Sequence, residues 1–474
     1  MKKLWLGMLG VFIGSAALRF WGLNRFDTLV FDEVYFAKYG FSYLKQIPFF
    51  DVHPPFGKYF LALGIWINIH FFGSQSSFIA ATDVAQLDAF AYRWFNAFVG
   101  SLIPLLVGAV AYQLTKRTRY ALLASLFVAA DGLLLVESRY SLINVYLITF
   151  GFLGIWCFLK ALESPRQQVW LLASGACLGG CASVKWNGLG FLLGIYLLYG
   201  LAWLLETLQG WRRSSRALDS IENEIKTAIS GKITIDKNKN PLQNLTKIEF
   251  LEFGFNFSIV PFLVYRLLWI PHLKLNTNFT FVEMQRQILG YHESIGNTAN
   301  DHPYCSAWLS WPLMLRPVGY YFEAIDRGRE TIVFDVHAFG NPILWWLSTV
   351  AVFVLLGQLL KSAIDWFSNR PIYRGFFFVQ SLILSQYIAN FLPWAKVSRC
   401  TYIYHYMAAS IFSFMALAWF VEGWLSRRSM PFRLLGIATI SIVWVAFSYW
   451  MPIYLGLPLS REAFDARMWF RSWY

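Results

Sequence analysis

An all-α polytopic membrane protein of about eleven transmembrane helices is the fold this sequence predicts. Three observations point there. Hydrophobic residues make up 57% of the 474-residue chain and charged residues only 14%, against about 25% charged in soluble domains. Mean hydropathy is +0.46. Apolar runs long enough to cross a hydrocarbon core recur along the chain. They are continuous rather than alternating, so helices rather than a barrel satisfy the backbone in lipid.

The first helix is expected over 4–21, preceded by Lys2 and Lys3, with its N-terminus cytoplasmic and uncleaved. The segment 22–92 is then a first extracytoplasmic loop. Within it 59–72 is apolar but short, which fits an interfacial or re-entrant helix. Helices follow over 93–114 and 120–136, with Lys116, Arg117 and Arg119 between them on the cytoplasmic side. A tight outer turn at Glu137-Ser138-Arg139-Tyr140 leads to a fourth helix ending near Lys160. A fifth covers 169–183 and a sixth ends near Glu206.

The segment 207–252 is the most polar, with Arg212, Arg213, Arg216, Lys237 and Lys239, and reads as a cytoplasmic loop. A helix over 253–270 leads to a second extracytoplasmic loop, 271–340. Helices over 342–360, 375–391, 404–424 and 432–450 follow. Arg370, Arg374, Arg427 and Arg428 lie on the inner side, and 451–474 forms an outer tail. The net charge of +13 is thus a positive-inside bias rather than a nucleic-acid surface. All of this forms one membrane-embedded domain without internal repeats.

The five cysteines indicate no metal centre. Cys157, Cys177 and Cys181 lie in apolar segments without accompanying histidines. Cys305 and Cys400 would share a compartment, which leaves a disulfide open without indicating one.

On this topology the unusual polar residues collect at the outer face: Asp32, Glu33, Asp51, His53, Arg93, Glu137, Arg139, Lys185, His302, Arg316, Arg399 and His405. Carboxylates facing cations there suit group transfer from a lipid-linked phosphate. A carboxylate takes the proton of the incoming nucleophile. Arg or Lys offsets the charge that grows on the leaving phosphate. A secondary transporter would place its polar residues near the midplane and often shows paired repeats, and neither pattern is present. A non-catalytic scaffold gives no reason for so many outer-face charges.

Several short motifs then resemble a known family in order. They are Phe31-Asp32-Glu33, Phe50-Asp51-Val52-His53-Pro54-Pro55-Phe56-Gly57-Lys58, Arg93-Trp94-Phe95-Asn96, Ser138-Arg139-Tyr140, Ser183-Val184-Lys185-Trp186-Asn187-Gly188, His302-Pro303-Tyr304, Trp311-Pro312-Leu313 with Arg316-Pro317, and Tyr404-His405-Tyr406. The resemblance is to the dolichyl- or polyprenyl-phosphate-mannose:protein O-mannosyltransferases, enzymes of the GT-C fold. It spans nearly the whole chain.

The resemblance implies transfer of mannose from a polyprenyl-phosphate-mannose lipid to Ser or Thr of secreted or membrane proteins, with inversion, at the outer face of the cell membrane. It makes Asp32 the catalytic carboxylate, with Glu33 shaping the acceptor site and Asp51 a second essential acid. Arg93, Arg139 and Lys185 are expected to bind the donor phosphate, and His53, His302, Arg399 and His405 to touch substrate. Asp32, Glu33 and Arg93 should converge on one lipid-accessible pocket. A divalent ion could neutralise the same phosphate, but the cations suffice and the resemblance demands none, so no cofactor is expected.

Two features depart from the family's pattern. Asn144 stands where an Asp often follows the Ser-Arg-Tyr motif, and 271–340 is too short for the β-trefoil of eukaryotic members. The nearest alternative is another GT-C enzyme with a different polyprenyl-phosphate sugar or a lipid acceptor.

Overall fold

The structure is a computed structural model that describes residues 2–73, 75–220, 244–296, 302–328, 330–368 and 374–474. Lys237, Lys239 and Arg370 lie outside the described residues.

Helix α1 covers Lys2–Phe20, α2 Glu33–Lys45, α3 Phe56–Phe71, and the short α4 Gln75–Ala80. Then come α5 (Ala89–Thr115), α6 (Thr118–Ala129), α7 (Gly132–Arg139), α8 (Asn144–Ala161), α9 (Gln167–Ala182) and α10 (Leu189–Ser220). The span α11 covers Phe250–Leu275, and α12 covers Phe281–Ser294. After a hairpin follow α13 (Pro342–Phe367), α14 (Arg374–Phe391), α15 (Met407–Leu425) and α16 (Met430–Leu455).

Among the described residues eight helices are long and apolar enough to span, or nine if α6 and α7 count as one. The protein is a multi-pass membrane protein, and eight or nine of the about eleven expected spans meet this length and composition test among the described residues. Three expected spans fall short. The apolar part of α1 is Leu4–Phe20, and α9 has 16 residues. The third is broken by a 62° bend between α6 and α7. Asp131 causes that break. Its carboxylate accepts from the Leu134 amide at 2.9 Å and the Trp345 indole at 2.7 Å, so it starts a new helix instead of continuing the old one.

Helix α15 sits at the centre, buried from Met407 to Ala418, and packs on α6, α13, α14 and α16. Between α1 and α5, α2 packs on α3 and α3 on α5. The short apolar segment near 59–72 is thus a helix held against the bundle. Its buried residues include Lys58 and Asn68.

The segment after α11 adds a small sheet to the mostly helical fold. It holds α12, capped by a Thr280/Glu283 capping box, and an antiparallel hairpin of β1 (Val318–Asp326) and β2 (Thr331–Ala338). Gly328 takes φ +82° in the turn, where a side chain would be strained. Strand β3 (Leu459–Ser460), from the C-terminal tail, pairs with β2. Cys305 and Cys400 form a disulfide across 95 residues, joining this loop to the segment before α15.

Candidate active site

The acidic turn opens on strain. Phe31 has φ +53°, the left-handed region that costs an ordinary residue about 1–2 kcal/mol. The turn places Asp32 at the N-cap of α2, yet its side chain makes no capping bond and faces a cavity.

Glu33 goes the other way, because successive helix residues differ by about 100° in direction. Its carboxylate is fully buried. It accepts from the amides of Val30 and Ser141, each at 2.8 Å. It also receives Arg93 in a two-pronged pair, Nε at 2.9 Å and Nη2 at 2.7 Å. The rest of the Arg93 guanidinium donates to the carbonyls of Leu23, Phe26 and Thr28. Neither residue lines the Asp32 cavity. The expected convergence of Asp32, Glu33 and Arg93 on one pocket is therefore corrected: the pair braces the loop that aims Asp32.

Arg139 is corrected in the same way. Its guanidinium donates to the carbonyls of Leu18, Arg19, Trp21 and Gly22. These include the open carbonyls at the end of α1, which need donors. Arg316 donates to Pro303 and Ser472 carbonyls. Asn144, where an Asp was expected, donates to Glu137 at 3.1 Å, and Tyr320 donates to the same carboxylate at 2.6 Å. An Asp there would place two buried carboxylates together, which burial disfavours.

The remaining candidates meet. The Pro54-Pro55 turn is tied to the Lys185 segment by the Phe56 amide on the Ser183 carbonyl, at 3.0 Å. Gly57 allows the approach, since a Cβ there would sit 2.9 Å from Ile143 Cβ and 3.1 Å from Val184. Lys58 closes the motif by pairing with Asp51 and donating to the His53 carbonyl. Asp51 thus reaches the cavity with its charge already paired.

Asp32, Asp51, His53, Lys185, His302, Arg399 and His405 line one cavity of about 320 Å³. It adjoins a second of about 460 Å³ that shares His53, Lys185, Arg399 and His405. The second cavity continues between apolar residues, among them Leu189, Leu193, Leu289 and Trp394.

Tyr39, Tyr291, His292 and Tyr402 also line the first cavity and were missed. His292 sits in the last turn of α12; a Tyr-His pair in an apolar chain was the available signal.

Burial lifts the Asp32 carboxyl to about 6, with Asp51 adding to the rise and Lys185 opposing it. Burial also pulls Lys185 below its usual range, against the pull of Glu137, Asp32 and Asp51. The Lys185 ammonium lies 5.3 Å from the Tyr404 ring and 5.9 Å from that of Phe36. Burial holds His53 well below its usual range and His292 at about 4, with nearby cations adding to both. These imidazoles are neutral at pH 7, so hydroxyl-bearing rather than anionic groups are their natural partners. Arg399 is lowered by burial and gives one hydrogen bond to the Cys400 carbonyl.

One carboxylate is therefore poised near neutrality beside two cations, at the mouth of an apolar groove. That arrangement can deprotonate a hydroxyl and hold a phosphate at once.

Residues 9–276 match the family model described as dolichyl-phosphate-mannose-protein mannosyltransferase. Residues 279–473 match the C-terminal four-helix region of protein O-mannosyltransferases. A Mycolicibacterium smegmatis polyprenol-phosphate-mannose–protein mannosyltransferase is 24% identical over 94% of this chain and 88% of its own. The enzyme of that name from Corynebacterium glutamicum is 24% identical over 89% and 81%. In fold, the chain is similar to a Saccharomyces cerevisiae protein O-mannosyltransferase in the Pmt1-Pmt2 complex bound to the sugar donor. The TM-score is 0.75 at 15% identity, covering 100% of this chain and 93% of that one.

Proposed function

The chain belongs to the dolichyl-phosphate-mannose-protein mannosyltransferase family, and on that premise we infer that it transfers mannose from a polyprenyl-phosphate-mannose lipid to serine and threonine hydroxyls of proteins. The observation that carries the assignment of residues is the shared cavity of Asp32, Lys185 and Arg399.

Asp32 takes the proton from the acceptor hydroxyl. The hydroxyl oxygen then attacks the anomeric carbon as the bond from that carbon to the phosphate oxygen breaks. A single displacement of this kind inverts the anomeric centre. Lys185 and Arg399 offset the charge left on the polyprenyl phosphate, and no metal enters the reading. The adjoining apolar groove suits the first isoprene units. His53 and His405, which line both cavities, suit contacts with sugar hydroxyls.

The active site lies at the extracytoplasmic face in this reading, with the N-terminus cytoplasmic. The Cys305–Cys400 disulfide beside Arg399 supports that orientation, because disulfides persist in oxidising compartments.

Asp32→Asn should abolish transfer from polyprenyl-phosphate-mannose in membranes while protein levels stay unchanged. Wild-type transfer by that variant would overturn the assignment.

A further inference from the structure

A separate cavity of about 420 Å³ lies against the β1–β2 hairpin. Asp335 and His337 are two apart on β2 and so share a face. Asp335 Oδ2 and His337 Nδ1 are hydrogen-bonded at 2.6 Å. Their other atoms, Asp335 Oδ1 and His337 Nε2, are buried and have no hydrogen-bond partner among the described residues. The residues are 1% and 5% exposed, and both line the cavity. Buried polar atoms in proteins are almost always partnered.

In the neutral tautomer that directs Nδ1–H at the carboxylate, Nε2 is a lone-pair acceptor, and the carboxylate Oδ1 can only accept. Two unpartnered acceptors beside one cavity call for donors on its occupant. The several hydroxyls of a sugar ring supply them. A lysine or arginine side chain would also donate, but Arg461 lines the same cavity and would oppose it.

The walls agree. Tyr304, Tyr321, Phe322, Phe464 and Tyr474 line the space and offer aromatic faces to the C–H face of a pyranose. Gly319 keeps the centre open: a Cβ there would lie 2.4 Å from the Tyr304 hydroxyl and 3.4 Å from His337 Nε2.

The cavity also touches the reaction site. Tyr320 lines it and stacks at 4.1 Å on Phe31, the residue before Asp32. Tyr304 is two residues from His302, which lines the Asp32 cavity.

We propose that this cavity binds a hexose already attached to an acceptor polypeptide, so that glycosylated acceptors are held for a further transfer nearby. This rests on the mannosyltransferase reading above.

The test uses the full-length enzyme in nanodiscs. Saturation-transfer NMR with methyl α-mannopyranoside reports binding directly. Transfer rates are compared on a Ser/Thr peptide and on the same peptide carrying one mannose. The wild type should bind the mannoside and favour the mannosylated peptide by about fivefold or more in KM. Asp335→Ala and Gly319→Val should lose both effects while keeping the rate on the plain peptide within about twofold.

No mannoside binding by the wild type, or undiminished binding by both variants, overturns the proposal. A wild type that binds the mannoside but transfers to neither peptide would sink the enzymatic reading and leave the sugar site standing. Should Asp335→Ala fail to fold, Tyr474→Ala at the cavity rim takes its place.

Discussion

Arg93→Ala removes a guanidinium that makes five hydrogen bonds, two to Glu33 and three to the carbonyls of Leu23, Phe26 and Thr28. Both partners of the ion pair are fully buried. Removing one leaves Glu33 as an unpaired buried charge, which costs about 3–5 kcal/mol. Each orphaned carbonyl adds about 1 kcal/mol or more. The sum is comparable to the whole stability of a typical domain, about 5–15 kcal/mol. The variant should therefore lose activity because it fails to fold. Arg93→Lys keeps the charge but not the planar fork, so its loss should be intermediate. The assay is thermal aggregation of detergent-purified protein, followed by donor KM on whatever fraction stays folded. The donor KM of that fraction should stay close to wild type. A well-folded Arg93→Ala enzyme with a donor KM raised about tenfold would refute the reasoning and return Arg93 to the phosphate.

Three further outcomes follow from the cavity, with one addition to the Asp32→Asn test. If Asp32 is the proposed base it must be ionised, and with its carboxyl lifted by burial to about 6, transfer should rise with pH through that value and level off above it. Lys185 lowers that carboxyl, so Lys185→Met should move the limb to higher pH; a limb that stays put or moves down counts against the pairing. A carboxyl raised from 3.8 to about 6 destabilises the fold above its unfolded value, by on the order of 2–3 kcal/mol at neutral pH. Asp32→Asn should therefore resist heat better than wild type, and a clearly weaker protein would contradict the shift. Cys400→Ser should raise the donor KM severalfold by freeing Arg399, while an unchanged KM would remove the disulfide's positioning role. Chelation of divalent ions should leave transfer intact, since Lys185 and Arg399 are assigned to the phosphate; loss restored by added metal would reject that assignment.

The membrane spans were legible because a continuous apolar run has few other destinations. Asp32, Asp51, Lys185 and Arg399 were legible as charges in a chain that carries few. Their neighbours were not separable by the same signal. Glu33 is as unusual as Asp32, and only the 100° step of a helix decides which of them meets the cavity. Arg93 and Arg139 bind backbone carbonyls from other parts of the chain, contacts that no local pattern encodes. The β hairpin was hidden because Val318–Asp326 shows only a partial inside–outside alternation. Asp131, a lone acid next to an apolar run, was the available sign that the third expected span breaks.

The strain at Phe31 and the rigidity of the Glu33–Arg93 pair belong together. A positive φ at a phenylalanine persists only where the surroundings over-determine it. Here Glu33 holds the Val30 amide on one side of Phe31 and the Ser141 amide on α8's approach, while Tyr320 stacks on the Phe31 ring. Released from this clamp, Asp32 could turn back to cap the first amides of α2, as an N-terminal Asp ordinarily does. That bond would satisfy the carboxylate and lower its basicity. The clamp thus keeps Asp32, whose carboxyl burial lifts to about 6, away from the amides that would quench it.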